Sequence, residues 1–167
     1  SLYDNTTGMS NTSVGTYSLN KNETGDHNVA IGHGALYYCN EQDGIVGIGY
    51  RALYNNTKNK QYSYQGAKNT AVGYKASYAN SIGSKNTSMG YESLHSNTTG
   101  SNNTASGVYS LCSNTTGYSN TANGTYALYS NTTGSSNCAL GDFSLYSNTT
   151  GDYNTGIGRL SLRKNST

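Results

Sequence analysis

Apolar side chains return along this chain at fixed spacing and never in long runs. A leucine recurs as Leu19, Leu36, Leu53, Leu94, Leu111, Leu128, Leu145 and Leu162, with Ser77 standing where the series breaks. Each is preceded by Ala or Ser, and four residues before it lies a glycine: Gly15, Gly32, Gly49, Gly73, Gly90, Gly107, Gly124, Gly141 or Gly158. The glycines step by 17 residues everywhere except from Gly49 to Gly73, where the step is 24. A second apolar position immediately precedes the glycine (Val14, Ile31, Ile48, Val72, Met89, Leu140, Ile157), with Ser106 and Asn123 in the other copies. Asn stands four residues before the glycine in every copy but one, where Ile45 replaces it, and Asn-Thr-Thr-Gly appears outright at 5–8, 97–100, 114–117, 131–134 and 148–151.

Repeats of this length predict stacked units rather than a globular core. A 17-residue period is too short for paired-helix repeats, and Gly and Asn are poor helix formers. It suits one coil of a narrow, all-β parallel solenoid with two short strands and two turns. Asn-Thr-Ala-x-Gly reads as the first strand and Ala-Leu-Tyr-Ser as the second, with Asn-Thr-Thr-Gly as the returning turn, since Gly and Asn tolerate positive φ. The residue before the glycine and the leucine after it lie an odd number apart, so a bend after the glycine is needed to aim both inward. About nine coils at ~4.8 Å make a rod of roughly 40 Å. The chain 1–167 reads as one solenoid, with the extra residues of the long step extruded as a loop around 58–65.

Composition sharpens this picture. Apolar residues make up only 33% of the chain and charged residues 11%, too little of either for an ordinary core or an ordinary disordered tail. Stacked Asn and Thr ladders therefore have to satisfy one another. The interior predicted from Leu, Val/Ile and small residues is thin against the entropy of ordering each coil. Lateral assembly is expected to complete it, a second chain approaching the Ala and Gly face of the first strand. The net charge of +2 is spread without a basic stripe, which argues against nucleic acid. No apolar run is long enough to span a bilayer, and no leader segment is visible.

Asn69-Thr-Ala-Val-Gly-Tyr74, Asn28-Val-Ala-Ile-Gly32 and Asn154-Thr-Gly-Ile-Gly158 resemble the head repeats of YadA-like trimeric autotransporter adhesins. The longer Asn-Thr-Ala-x-Gly-x-x-Ala-Leu-Tyr-Ser-Asn-Thr-Thr-Gly unit is similar to repeats in bacterial surface proteins and in phage and large-virus fibres. The resemblance covers nearly the whole chain. It implies a left-handed parallel β-roll, three chains side by side, and binding to host matrix or surfaces.

Candidate chemistry is sparse. Gly47-Ile-Gly49-Tyr-Arg-Ala52 mimics part of a dinucleotide fingerprint, yet its glycines fall on repeat positions and no strand–helix unit follows. His27, His33 and His95 sit at different repeat positions, and the carboxylates are dispersed, so no triad, carboxylate pair or metal cage is expected. Cys39, Cys112 and Cys138 lack the spacing of a zinc site or a disulfide scaffold. The Thr-Thr pairs would diverge to opposite faces of an extended chain, which argues against an ice-binding array.

Two features remain. Tyr37, Tyr54, Tyr78, Tyr129 and Tyr146 share one repeat position, with Tyr3 before them, and form a candidate stripe for chain–chain packing or for sugars. Asn5, Asn22, Asn97, Asn114, Asn131, Asn148 and Asn165 begin glycosylation sequons, and are either glycan acceptors on exposed turns or ladder residues.

The expected function is an extracellular filament or fibre shaft on a cell or virion surface, partnered by copies of itself as a homotrimer or filament. The alternative is an adhesin head or receptor-binding fibre segment that holds glycans or extracellular matrix. No enzyme activity and no cofactor are expected. Ser1 and Thr167 both fall in mid-repeat without a polar cap, which favours the filament.

Overall fold

The computed structural model describes residues 1–57 and 65–166. Its strands are β1 (Thr12–Val14), β2 (Val29–Ile31), β3 (Val46–Ile48), β4 (Thr70–Val72), β5 (Thr87–Met89), β6 (Thr104–Ser106), β7 (Thr121–Asn123), β8 (Cys138–Leu140) and β9 (Thr155–Ile157). They form one nine-stranded sheet in chain order, every pair parallel. Register follows the repeat: Ser13 pairs with Ala30 and Ala105 with Ala122. The long step is absorbed without slippage, Val46 pairing with Thr70. The chain is thus an all-β parallel solenoid. The expected insertion loop lies, but for Gln65, outside the described residues.

Among the described residues each coil carries one strand, not two. The Ala-Leu-Tyr-Ser segment is a turn whose leucine adopts the left-handed conformation, from φ 45° at Leu19 to 52° at Leu36 and Leu94. Its hydrogen bonds still run between coils, with the Leu36 N–H donating to the Ala52 carbonyl and the Tyr38 N–H to the Tyr54 carbonyl. A left-handed residue costs about 1–2 kcal/mol. Full burial of a leucine returns about as much or more. Leu19, Leu36, Leu53, Leu94, Leu111, Leu128 and Leu145 are fully buried. Leu162, in the last coil described, is 48% exposed.

The three-residue strands alternate as strands must. Their middle residue (Ala30, Ala71, Ala105, Ala122, Ala139) faces inward and is fully buried. Its small size is required by the leucine of the preceding coil: a Cβ on Gly47 would meet Leu36 Cγ at 2.9 Å. The flanking residues face out. Val14, Ile31, Val72, Met89, Leu140 and Ile157 are therefore exposed, Val14 by 56%. This corrects the expectation that a bend after the glycine turns them inward, and equally the expectation that the Ala face is open to a second chain. The outer sheet face carries Thr and Val beside Val, Ile, Met and Leu.

The space opposite the leucines is filled by amides. One column holds Asn22, Asn56, Asn80, Asn97, Asn114, Asn131 and Asn148, and the other Asn28, Asn69, Asn86, Asn103, Asn120 and Asn137, all buried. In the first column each side chain from Asn80 to Asn148 donates to the one before it, Asn97 to Asn80 and Asn114 to Asn97 at 2.8 Å. In the second, Asn86 accepts the backbone N–H of Asn103 at 2.9 Å. Both columns converge on the glycine of Asn-Thr-Thr-Gly, whose carbonyl at Gly100 accepts from Asn86 at 2.8 Å and Asn97 at 2.9 Å. That glycine is required for space and not for positive φ. A Cβ on Gly100 would collide with the Gly117 carbonyl and Asn97 Oδ1. Positive φ is demanded instead at the glycine after each strand, such as Gly73 at 139°.

Candidate binding surface

The side that follows each strand is aromatic. Three side-chain columns run along it, one, two and five residues after the glycine. In the first, His33, Tyr50, Tyr74 and Tyr91 stack at 5.5, 5.2 and 5.0 Å between ring centroids. In the third, Tyr37, Tyr54, Tyr78 and His95 stack at 5.0, 5.5 and 5.4 Å, and Tyr129 stacks on Tyr146 at 5.3 Å. From Tyr109 onward the middle column takes over, with Tyr109, Tyr126 and Phe143 stacked at 5.2 and 5.0 Å. An edge contact of 5.3 Å from Tyr91 to Tyr109 joins the two halves. The cause is the coil spacing: ~4.8 Å sets equivalent rings at the distance that offset stacking prefers.

The predicted stripe Tyr37, Tyr54, Tyr78, Tyr129 and Tyr146 is thus two stacked runs, separated by His95 and Cys112. Tyr3 stands apart at 82% exposure, with Asn20 at the position between it and Tyr37. The histidines do not cluster, but His33 and His95 each continue a tyrosine column. That was legible from their repeat positions, which are tyrosine positions in other coils. Cations occupy the middle column. Arg51 lies 5.2 Å from the ring centres of both Tyr50 and Tyr54, and Lys75 5.3 Å from Tyr74 and 5.8 Å from Tyr78.

Packing against neighbours shifts several of these groups. Desolvation, and then Tyr91 beside it, pushes the Tyr109 phenol up to about 12. Desolvation also raises Tyr54 and Tyr129, and lowers His95 against an opposing pull from Glu92. Burial pushes the Cys112 thiol up to about 11, the direction of an inert rather than a reactive cysteine.

The face has a notch at Gly34. Every coil sets a side chain two residues after the strand glycine except one, where Gly34 stands between Tyr17 and Arg51. The gap opens a hollow of about 280 Å³ walled by Tyr17, His33, Tyr37, Arg51 and Tyr54. A larger hollow of about 520 Å³ lies on another side, where Lys68 and Lys85 flank Ile82.

The sequon asparagines are not surface turns. Asn22, Asn97, Asn114, Asn131 and Asn148 are fully buried, and their Nδ2 atoms, where a glycan would attach, are bonded within the amide ladder. Asn5 and Asn165, on the outer coils, are partly buried. Glycan attachment at the five buried positions is incompatible with this fold. Exposed sequon asparagines do exist at Asn102 and Asn123, which sequence reasoning did not single out.

Among the described residues no three His, Cys, Asp or Glu side chains come together, and no helix is long and apolar enough to cross a membrane. Gly47, Ile48 and Gly49 belong to β3 and the turn that leaves it, so the dinucleotide-like string is part of a coil. The adjacent threonines of Asn-Thr-Thr-Gly lie in a bend rather than a strand. Thr98 and Thr115 donate their hydroxyls to the carbonyls of Thr115 and Thr132, at 3.1 and 3.0 Å. Comparison with protein families, curated proteins and solved structures finds no significant match, so the chain is described by its architecture alone: a nine-stranded parallel β-solenoid with an amide-filled interior and an aromatic side.

Proposed function

We propose that the chain is an extracellular structural protein, a shaft segment of a fibre or filament whose rods associate side by side. The observation that carries this reading is the outward column Val14, Ile31, Ile48, Val72 and Met89 on the face of a regular sheet. Side chains of this kind stacked in a continuous row form a patch that soluble monomers rarely leave uncovered. Copies of the same chain fit it best, since the same spacing recurs on every copy. The inside of most coils offers one leucine and small residues, so apolar burial between rods would add what the interior lacks.

Sedimentation of the purified protein, with electron microscopy on the same sample, tests the proposal. Discrete trimers or long fibres are expected for the native chain. Ile31→Lys with Val72→Lys, both on the outer face, should yield folded particles near 17.7 kDa. A native chain that sediments as a monomer would overturn it.

A second reading, an adhesin or receptor-binding fibre segment, draws on the aromatic side. Stacked tyrosines with cations between them suit sugars and matrix proteins, and this side remains open when rods pair through the sheet.

A further inference from the structure

We infer that the notch at Gly34 is a binding subsite for one acidic sugar residue, a pyranose bearing a carboxylate. This deepens the second reading and is independent of whether rods associate.

The notch is the one interruption in an otherwise filled column. Its neighbours in that column are Tyr17, Arg51, Lys75, Glu92, Tyr109, Tyr126, Phe143 and Leu160. All have φ between 49° and 62°, and Gly34 has φ 66°. Glycine is therefore not needed there for the backbone, because larger residues hold the same conformation in every other coil. What its absence of a side chain provides is space beside Tyr54 and Arg51, which lean to 3.3 and 3.4 Å from where a Cβ would stand.

The walls say what the room suits. Tyr37 and Tyr54 form one side, stacked at 5.0 Å, and Tyr17 meets His33 edge-on at 5.7 Å on the other. Rings with a polar tip match a sugar, which has an apolar face and a hydroxyl rim. At about 280 Å³ the hollow lies just under the usual range of small-ligand sites, which suits one ring rather than a chain.

Arg51 sets the charge. Its guanidinium is held between Tyr50 and Tyr54, each 5.2 Å away. No carboxylate is among the described residues that line the notch. A planar guanidinium oriented by two rings matches a carboxylate in two-point fashion through its terminal nitrogens. At the equivalent places the column carries the side chains of Lys75 and Glu92.

The test is a titration of the purified chain with methyl β-D-glucuronide and, in parallel, methyl β-D-glucoside, followed by tyrosine fluorescence and by saturation-transfer NMR. The glucuronide should bind saturably and about tenfold more tightly than the neutral sugar. Gly34→Tyr, which rebuilds the column with a residue found there in other coils, should abolish binding. Arg51→Glu, which copies the situation at Glu92, should remove the preference for the acidic sugar. Circular dichroism should show both variants folded, and Arg51→Glu carries the test alone if Gly34→Tyr does not fold. Equal affinity for the two sugars, absence of saturable binding, or unchanged binding in a folded Gly34→Tyr chain would overturn the inference. Retention on matrix-coated plates that persists in Gly34→Tyr would sink the notch while leaving the adhesin reading standing.

Discussion

Ser77 and Ser88 join their side-chain hydroxyls at 2.9 Å in the interior of the rod, and this pair divides the apolar core in two. One cluster of buried side chains runs from Leu19 to Ala76 and the other from Leu94 to Leu145. Ser77 holds the leucine position and Ser88 the small position that the next strand sets against it, so both partners changed together. Replacing the pair by Ser77→Leu and Ser88→Ala should fuse the clusters and stabilise the rod by about 2 kcal/mol. Ser77→Leu alone should gain less, since it buries the Ser88 hydroxyl without its partner. A double-mutant cycle on denaturant unfolding should return a coupling of about 1 kcal/mol.

A second concerted change lies one coil corner further back. Where other coils place Asn, Gly and Asn, this one has Cys39, Gln42 and Ile45, all buried. A side chain on the glycine would strike both asparagines, as a Cβ on Gly25 would strike Asn22 Oδ1. Gln42 therefore fits only beside the replacements. The cost is visible in Asn22 Oδ1 and Gln42 Nε2, buried without hydrogen-bond partners. Cys39→Asn alone should destabilise by crowding Gln42. The triple change to Asn, Gly and Asn should restore the ladder and stabilise by about 2–4 kcal/mol, read from urea midpoints.

The amide ladder predicts its own energetics. Asn114→Ala removes bonds to Asn97 Oδ1 and the Gly117 carbonyl, and leaves Asn131 with one partner fewer. A loss of about 2–4 kcal/mol is expected, against well under 1 kcal/mol for exposed Asn102→Ala.

The same burial governs modification. If the chain is secreted through a glycosylating pathway, peptide mass spectrometry should find N-glycans at Asn102 and Asn123. Asn97, Asn114, Asn131 and Asn148 should be unmodified in the folded protein. Occupancy at these four would contradict the packing.

Two pH limits follow from the aromatic side. His95 is lowered by burial, so its neutral form is the folded one. The stability it contributes is present above the ordinary histidine pKa of 6.5 and is lost as pH falls through its lowered value. His95→Tyr, which continues the stack on Tyr78, should flatten the acid side of a melting-temperature profile. Tyr109 is raised from 10 to about 12, so its contribution is full below pH 10 and is lost as pH rises toward 12. Tyr109→Phe should soften the alkaline decline. Absorbance at the phenolate band should show the native chain ionising later than the unfolded one.

Much of the binding side was readable from repeat position. Residues separated by whole repeats stack, so Tyr37, Tyr54 and Tyr78 had to meet, as did Tyr129 and Tyr146. The notch was less legible. Gly34 is one glycine among 21, and its meaning depends on two flanking tyrosine columns whose side chains lean over it. Nor could spacing say that Arg51 would lie between Tyr50 and Tyr54, because that depends on which way the turn carries each column.

What the amino-acid order determined by itself is the period, the in-register parallel stacking and the absorption of the long step between β3 and β4. One environment repeats in every coil, and identical residues reveal it without knowledge of the path between them. Only the tertiary structure decided which side of each strand is inside. Polarity alone would bury Val72 and expose Asn97, and the rod does the reverse. A coil this narrow has room beside its leucine only for Ala, Ser or Gly from the strand. Asparagine can fill the remainder because an amide such as that of Asn97 is satisfied by the coils above and below it, a condition that exists only once the coils are stacked.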